Sequence, residues 1–210
     1  MAVTTIPTAG IADDAVDNTK LDLTDSYAFT GAVTGATDLV KITSTTVSSS
    51  VATVELTGIS STYETYLVTM HNVHFSADNA ELRCQVGDAG GYVTDNYSIT
   101  GTAGRAGSTT VDGIDQTSQA SWDLCGTFDM GAADHESFNG FVYFYNLRQS
   151  SGKKHITGVF SHDQDGGVVV NVCLSGANST NSILTKMKFG DLASSKTIDT
   201  GIFTLYGVKQ

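Results

Sequence analysis

The chain has 210 residues, a formal net charge of -11 and 40% hydrophobic residues. That length supports one large domain plus an appendage, with roughly 70% of the unfolded surface available for burial. The acidic balance repels phosphate backbones and argues against nucleic acid as a partner, and no apolar run approaches the ~20 residues of a membrane span. Charged residues make up 16%, below the roughly 25% usual for soluble domains, and Ser, Thr and Gly fill the gap. That mix suits a β-rich chain with many tight turns. The N-terminus lacks the basic start and apolar core of a signal peptide. Cys84, Cys125 and Cys173 are far apart and form no CxxC. They read as buried free thiols acting as small apolar residues, in a chain that folds in the cytosol.

Residues 1–45 differ from the rest and contain the only proline, Pro7. Asp13 and Asp14 favour the start of a short helix over Ala12–Lys20. Leu21, Leu23, Tyr27 and Phe29 alternate loosely after it. The segment is too short and polar to bury a core alone. It is either a flexible tail or, as its apolar punctuation favours, an attachment element.

From about Val40 the texture is continuous β, so residues 46–210 form the main domain. Strands are predicted over Val51–Leu56, Tyr66–Phe75 and Ala80–Val86, with turns at Gly58–Ser61 and Ser76–Asn79. In the middle strand Tyr66, Val68 and Met70 alternate with Leu67, Thr69 and His71, a period of two. Val73 and Phe75 continue the apolar face one residue out of step, which predicts a bulge near Asn72. Gly90–Thr100 reads as an edge strand, and glycine-rich Gly101–Asp115 as a long exposed loop. Thr117–Leu124 resumes a strand and holds the only tryptophan, Trp122. Thr127–Glu136 is another loop.

Phe138–Arg148, Lys154–His162, Val168–Leu174, Ile183–Phe189 and Gly201–Val208 complete the pattern. Phe138–Tyr145 and Val168–Leu174 are apolar on both faces and must meet something on each, either covering loops or a subunit interface. The interface is the preferred reading for some of them, and it predicts a homo-oligomer with three-fold symmetry. About ten strands with turn signals every 8–12 residues predict an all-β fold, an antiparallel, jelly-roll-like β-sandwich with a short N-terminal attachment segment.

Catalytic signatures are missing: no GxSxG, HExxH or P-loop occurs. His71 and His74 form an HxxH, but residues three apart on a strand face opposite ways. Asp163, Asp165 and Gly166 form a calcium-loop fragment without the later ligands, better read as a hairpin turn. Asp134, His135 and Glu136 read as a solvated turn. No catalytic, metal or cofactor site is expected. Tyr92, Tyr97 and Trp122, in or near loops, are candidate glycan contacts, with the core as the competing place for them.

The opening IPTAGIADDAVDNTKLDLTDSYAFTGAVTGA resembles the N-terminal linker of virion appendage proteins of marine and cyanobacterial tailed phages, where "GI-x-DDAVDxxKL" precedes "Y-x-F-x-G-x-VTG". LTGISSTYETYLVTMHNVHFSADNAELRCQV, Gly90-Gly91, Asn96-Tyr97 and the closing GIFTLYGVKQ are similar to the β domain of such tail-fibre-like proteins. The resemblance implies a homotrimeric virion protein assembled in the host cytoplasm, with residues 1–45 joined to other virion proteins. The β domain would be distal and face a host surface glycan or protein through loops such as Gly101–Asp115 and Thr127–Glu136. A capsid decoration or head-fibre protein is the alternative, and an appendage-borne carbohydrate-active enzyme a further one.

Overall fold

The computed structural model describes residues 38–209. The predicted Ala12–Lys20 helix and most of the expected attachment segment lie outside the described residues. Among the described residues there is no helix. The thirteen strands are β1 (Leu39–Val47), β2 (Val54–Thr57), β3 (Thr65–Phe75), β4 (Arg83–Asp88), β5 (Gly91–Tyr92), β6 (Tyr97–Arg105), β7 (Val111–Gln119), β8 (Trp122–Asp123), β9 (Phe138–Tyr145), β10 (Lys154–Gln164), β11 (Val168–Asn178), β12 (Lys186–Gly190) and β13 (Ile198–Val208).

They form a sandwich of two antiparallel sheets. The larger has the order β1-β13-β3-β9-β10-β11-β6-β7, and the smaller β2-β12-β4-β5 with β8 also on β4. The β-sandwich expected from strand spacing is therefore the fold. β10 shows how it arises: Ile156, Gly158, Phe160 and His162 point inward while His155, Thr157, Val159 and Ser161 point out. Inward aromatics from both sheets and the connecting loops, among them Tyr66, Tyr97, Trp122, Phe144, Phe189 and Phe203, share one buried core.

The bulge lies where the phase slip places it. The β3–β9 register shifts between Met70 and Val73, and Asn72 sits in the left-handed region at φ 49°. The slip returns Val73 and Phe75 to the core, where both are fully buried.

Three expectations are corrected. The domain starts earlier than residue 46, because residues 39–47 form β1 and pair with the closing strand, Leu39 opposite Val208. Gly101–Asp115 is no loop but the greater part of the β6–β7 hairpin. Of its glycines Gly101 serves packing: a Cβ there would lie 2.3 Å from the Cys173 carbonyl oxygen. Gly90–Thr100 is not one edge strand but parts of two strands, of which only Gly91–Tyr92 stands at a sheet edge. Gly91–Tyr92 belongs to the small sheet, while β6 runs inside the large one between β11 and β7.

Candidate functional site

The outward face of the large sheet is uncovered among the described residues. On β9, β10 and β11 its outward positions from Asn139 to Tyr145, His155 to Ser161 and Val169 to Ala177 hold no Asp, Glu, Lys or Arg. In a chain of net charge -11, such a surface avoids the self-repulsion that charge would impose on contact between copies. The two strands apolar on both faces, β9 and β11, thus bury one face and leave the other open.

This face has two halves. Toward one end stand Phe141, Val159, Val169 and Ile202, each 37 to 50% exposed. Phe141 lies opposite Val159, and Val159 opposite Cys173. Cys84 and Cys125 are buried as expected, but Cys173 is exposed, because it takes an outward position of β11. Toward the other end the outward residues become aromatic and hydroxylated. Tyr143 pairs with Thr157 and Tyr145 with His155. The Tyr143 and Tyr145 rings are nearly parallel, 18° apart with centroids at 6.3 Å. Thr157 and Ser175 share a hydrogen bond between their hydroxyls at 3.3 Å.

The Thr127–Glu136 loop is fastened at several points. Glu136, buried, accepts from Ala133 N at 2.8 Å and from Gly167 N at 2.7 Å, so it ties the loop to the β10–β11 turn. Ala132 N donates to Asp78 at 2.7 Å, and Met130 bridges Ala80. The loop lines an open cleft of about 580 Å³ with Asp78, His135 and Asp165 at its walls. His135 faces this cleft, but Glu136 is structural, which the order of residues in the turn did not reveal.

The three aromatics expected to meet a receptor separate in space. Tyr97 and Trp122 are fully buried, their rings edge to face at 4.8 Å. A receptor cannot reach them, and the core reading holds for both. The Tyr97 hydroxyl donates to Val93 O at 3.0 Å and accepts from Val86 N at 3.1 Å. Trp122 Nε1 donates to Ala177 O at 3.3 Å. Their position beside turns in the sequence concealed this, because a polar handle lets either ring be buried. Tyr92 stays half-exposed on the small sheet. Its hydroxyl donates to Glu55, and the ammonium groups of Lys186 and Lys188 lie 4.7 and 4.2 Å from its ring centroid. Burial, then the Glu55 carboxylate, push its pKa up.

His71 and His74 diverge across the bulge. His71 is exposed, while His74 Nε2 faces the Ala132 and Ala133 carbonyl oxygens at 3.0 and 3.1 Å. Asp163 accepts from Ser137 N at 3.1 Å, and Asp165–Gly167 form the β10–β11 turn.

Asp123 and His162 are among the titratable groups buried in the protein interior. Asp123 is held by Cys125 N at 3.0 Å and stands 3.6 Å from the Arg83 guanidinium. Burial outweighs that cation and raises its pKa to about 6. His162 stacks on Phe138 at 5.8 Å, and neither ring nitrogen has a hydrogen-bond partner among the described residues. Backbone groups of Asp163 and Cys125 come near enough to favour the charged ring weakly, without reaching hydrogen-bond geometry. Burial prevails and lowers its pKa.

Comparison with protein-family models, curated proteins and solved structures returns no match.

Proposed function

We propose that this chain is a structural protein of a tailed-phage virion, a homotrimeric tail fibre or tip without enzymatic activity. Residues 1–45 attach it to other virion proteins, with residues 38–45 of that segment belonging to the β domain. The β domain stands distal and faces a host glycan or protein. The reading rests on the linker-like phrase before the domain and on one structural observation, the outward face of β9, β10 and β11, which carries no Asp, Glu, Lys or Arg. Eight strands at about 4.8 Å make the whole face roughly 35–40 Å wide, with the uncharged strands at its middle. Phe141, Val169 and Ile202 supply the apolar contacts for self-association.

The test is gold labelling of purified virions with an antibody to the Val40–Gln210 domain, viewed by electron microscopy. Label at the tail supports the receptor-facing fibre. Label over the head replaces it with a capsid decoration or head-fibre protein. No label on any particle defeats the virion reading. Reducing sugar released from host polysaccharide, and lost on mutating one carboxylate, would make the chain an enzyme.

A further inference from the structure

The hydroxylated half of the large-sheet face is hollow rather than flat. A depression of about 290 Å³ runs over β10, β11, β6 and β7, with His155, Ser175, Thr100 and Asp115 among its walls. A second hollow of about 360 Å³ shares Thr100 and Ser175 with it and continues past Thr157 to Val159. Register explains the row of hydroxyls. Thr157 lies opposite Ser175, Ser175 opposite Thr100, and Thr100 opposite Asp115, one polar group per strand at about 4.8 Å spacing. The Tyr143 and Tyr145 rings stand on β9 along the same border, directly opposite Thr157 and His155.

We propose that this trough binds a neutral saccharide. The tyrosine rings take the apolar face of a sugar ring, while the Thr157, Ser175 and Thr100 hydroxyls and the Asp115 carboxylate take its hydroxyl groups. A sugar is the ligand that needs an apolar ring face and many weak polar partners in one shallow place.

Charge and shape select against other occupants. The chain's net charge of -11 disfavours sulfated or uronic sugars, and no lysine or arginine lines either hollow to offset it. A basic peptide would find one carboxylate, Asp115, in the whole trough. Two copies meeting through the hollows would set hollow against hollow and leave a void, so self-association belongs to Phe141, Val169 and Ile202, which line neither hollow. The volumes suit a short oligosaccharide, held weakly by each copy and strengthened by multivalency. The biological setting rests on the receptor-facing reading above. The binding chemistry does not.

Saturation-transfer NMR on the full-length chain tests the site with maltose, lactose, mannobiose and diacetylchitobiose, and with digalacturonate as the anionic control. At least one neutral disaccharide is expected to bind, with Kd on the order of 1 mM, and the control is not. Tyr143→Ala should weaken binding about tenfold. Ser175→Val should do the same by closing the trough at an exposed strand position that keeps the fold, as an unchanged melting temperature would show. No transfer from any neutral disaccharide, preference for digalacturonate, or binding indifferent to Ser175→Val overturns the proposal. Tail labelling of virions without saccharide binding would remove the trough and leave the fibre reading intact. Saccharide binding without particle labelling would do the reverse.

Discussion

The backbone N–H of Asn72 donates to the side-chain oxygen of Asn139 at 2.8 Å. Asn72 sits at φ 49° in the bulge of β3, and Asn139 lies near the start of the neighbouring β9. The contact satisfies a donor that the bulge takes out of the ladder. Asn139→Ala should cost about 1 kcal/mol. Asn72→Gly should stay within about 0.5 kcal/mol, whereas Asn72→Val should lose more than about 1.5 kcal/mol. Urea midpoints at constant slope check all three. Equal losses for Asn72→Gly and Asn72→Val would show that the left-handed backbone is not what Asn72 provides.

Tyr97 and Trp122 act as core anchors. Trp122→Ala should cost about 3–5 kcal/mol through the cavity it leaves. Tyr97→Phe should cost about 1–2 kcal/mol, because Val86 N would be left buried without its acceptor. Thermal denaturation measures both. A Trp122→Ala protein as stable as the native chain would return Trp122 to the list of surface contacts.

Glu136 ties two loops through Ala133 N and Gly167 N. Glu136→Ala should cost about 3 kcal/mol, and Glu136→Gln about 1 kcal/mol, since the amide keeps one acceptor oxygen. Hydrogen exchange should accelerate at the Ala133 and Gly167 amides in Glu136→Ala. Protection unchanged there would mean that the loop holds itself.

Asp123 and His162 give the stability curve opposite slopes. The folded pKa of Asp123, about 6, lies above its ordinary value of 3.8. Folding therefore binds its proton more tightly, and this contribution is full below about pH 4 and lost as pH rises to about 6. It amounts to roughly 3 kcal/mol at most. His162 is lowered from 6.5, so its contribution is present above that pH and lost as pH falls through the folded value. Denaturant curves of Asp123→Asn at pH 4, 5 and 6 should lack the falling limb. His162→Leu should gain more at pH 5 than at pH 8, and an equal gain at both would show that the ring's charging does not matter.

Self-association through the apolar half of the large-sheet face predicts that Phe141→Lys with Val169→Lys yields folded monomers whose melting temperature no longer depends on protein concentration. Light scattering on the native chain should give three times the protomer mass. A clean monomer mass for the native full-length chain would sink the trimer.

Along β3, the alternation from Tyr66 to Met70 and the slip at Val73 carried enough information for the strand, its inner face and its bulge. A period of two leaves no other way to bury those side chains. The β10–β11 turn was likewise legible in Asp163–Gly166. The β6–β7 hairpin was not, because Gly101, which admits a neighbouring backbone, looks the same in sequence as Gly107, which makes the turn at φ 79°. Gly101 is explained by Cys173, seventy-two positions away in the chain by the numbering. Tyr97 and Trp122 were ambiguous for a related reason: their polar atoms find partners at Val86, Val93 and Ala177, which local sequence does not bring near.

By itself the sequence determined that the chain is an antiparallel β-sandwich, since alternation, turn residues and composition are local and all point one way. Strand order, the closure of β1 against β13, and the division of the large-sheet face into an apolar and a hydroxylated half were decided by the tertiary structure alone. Those features depend on which distant strands lie side by side, and register between them is set by the packing of the whole core.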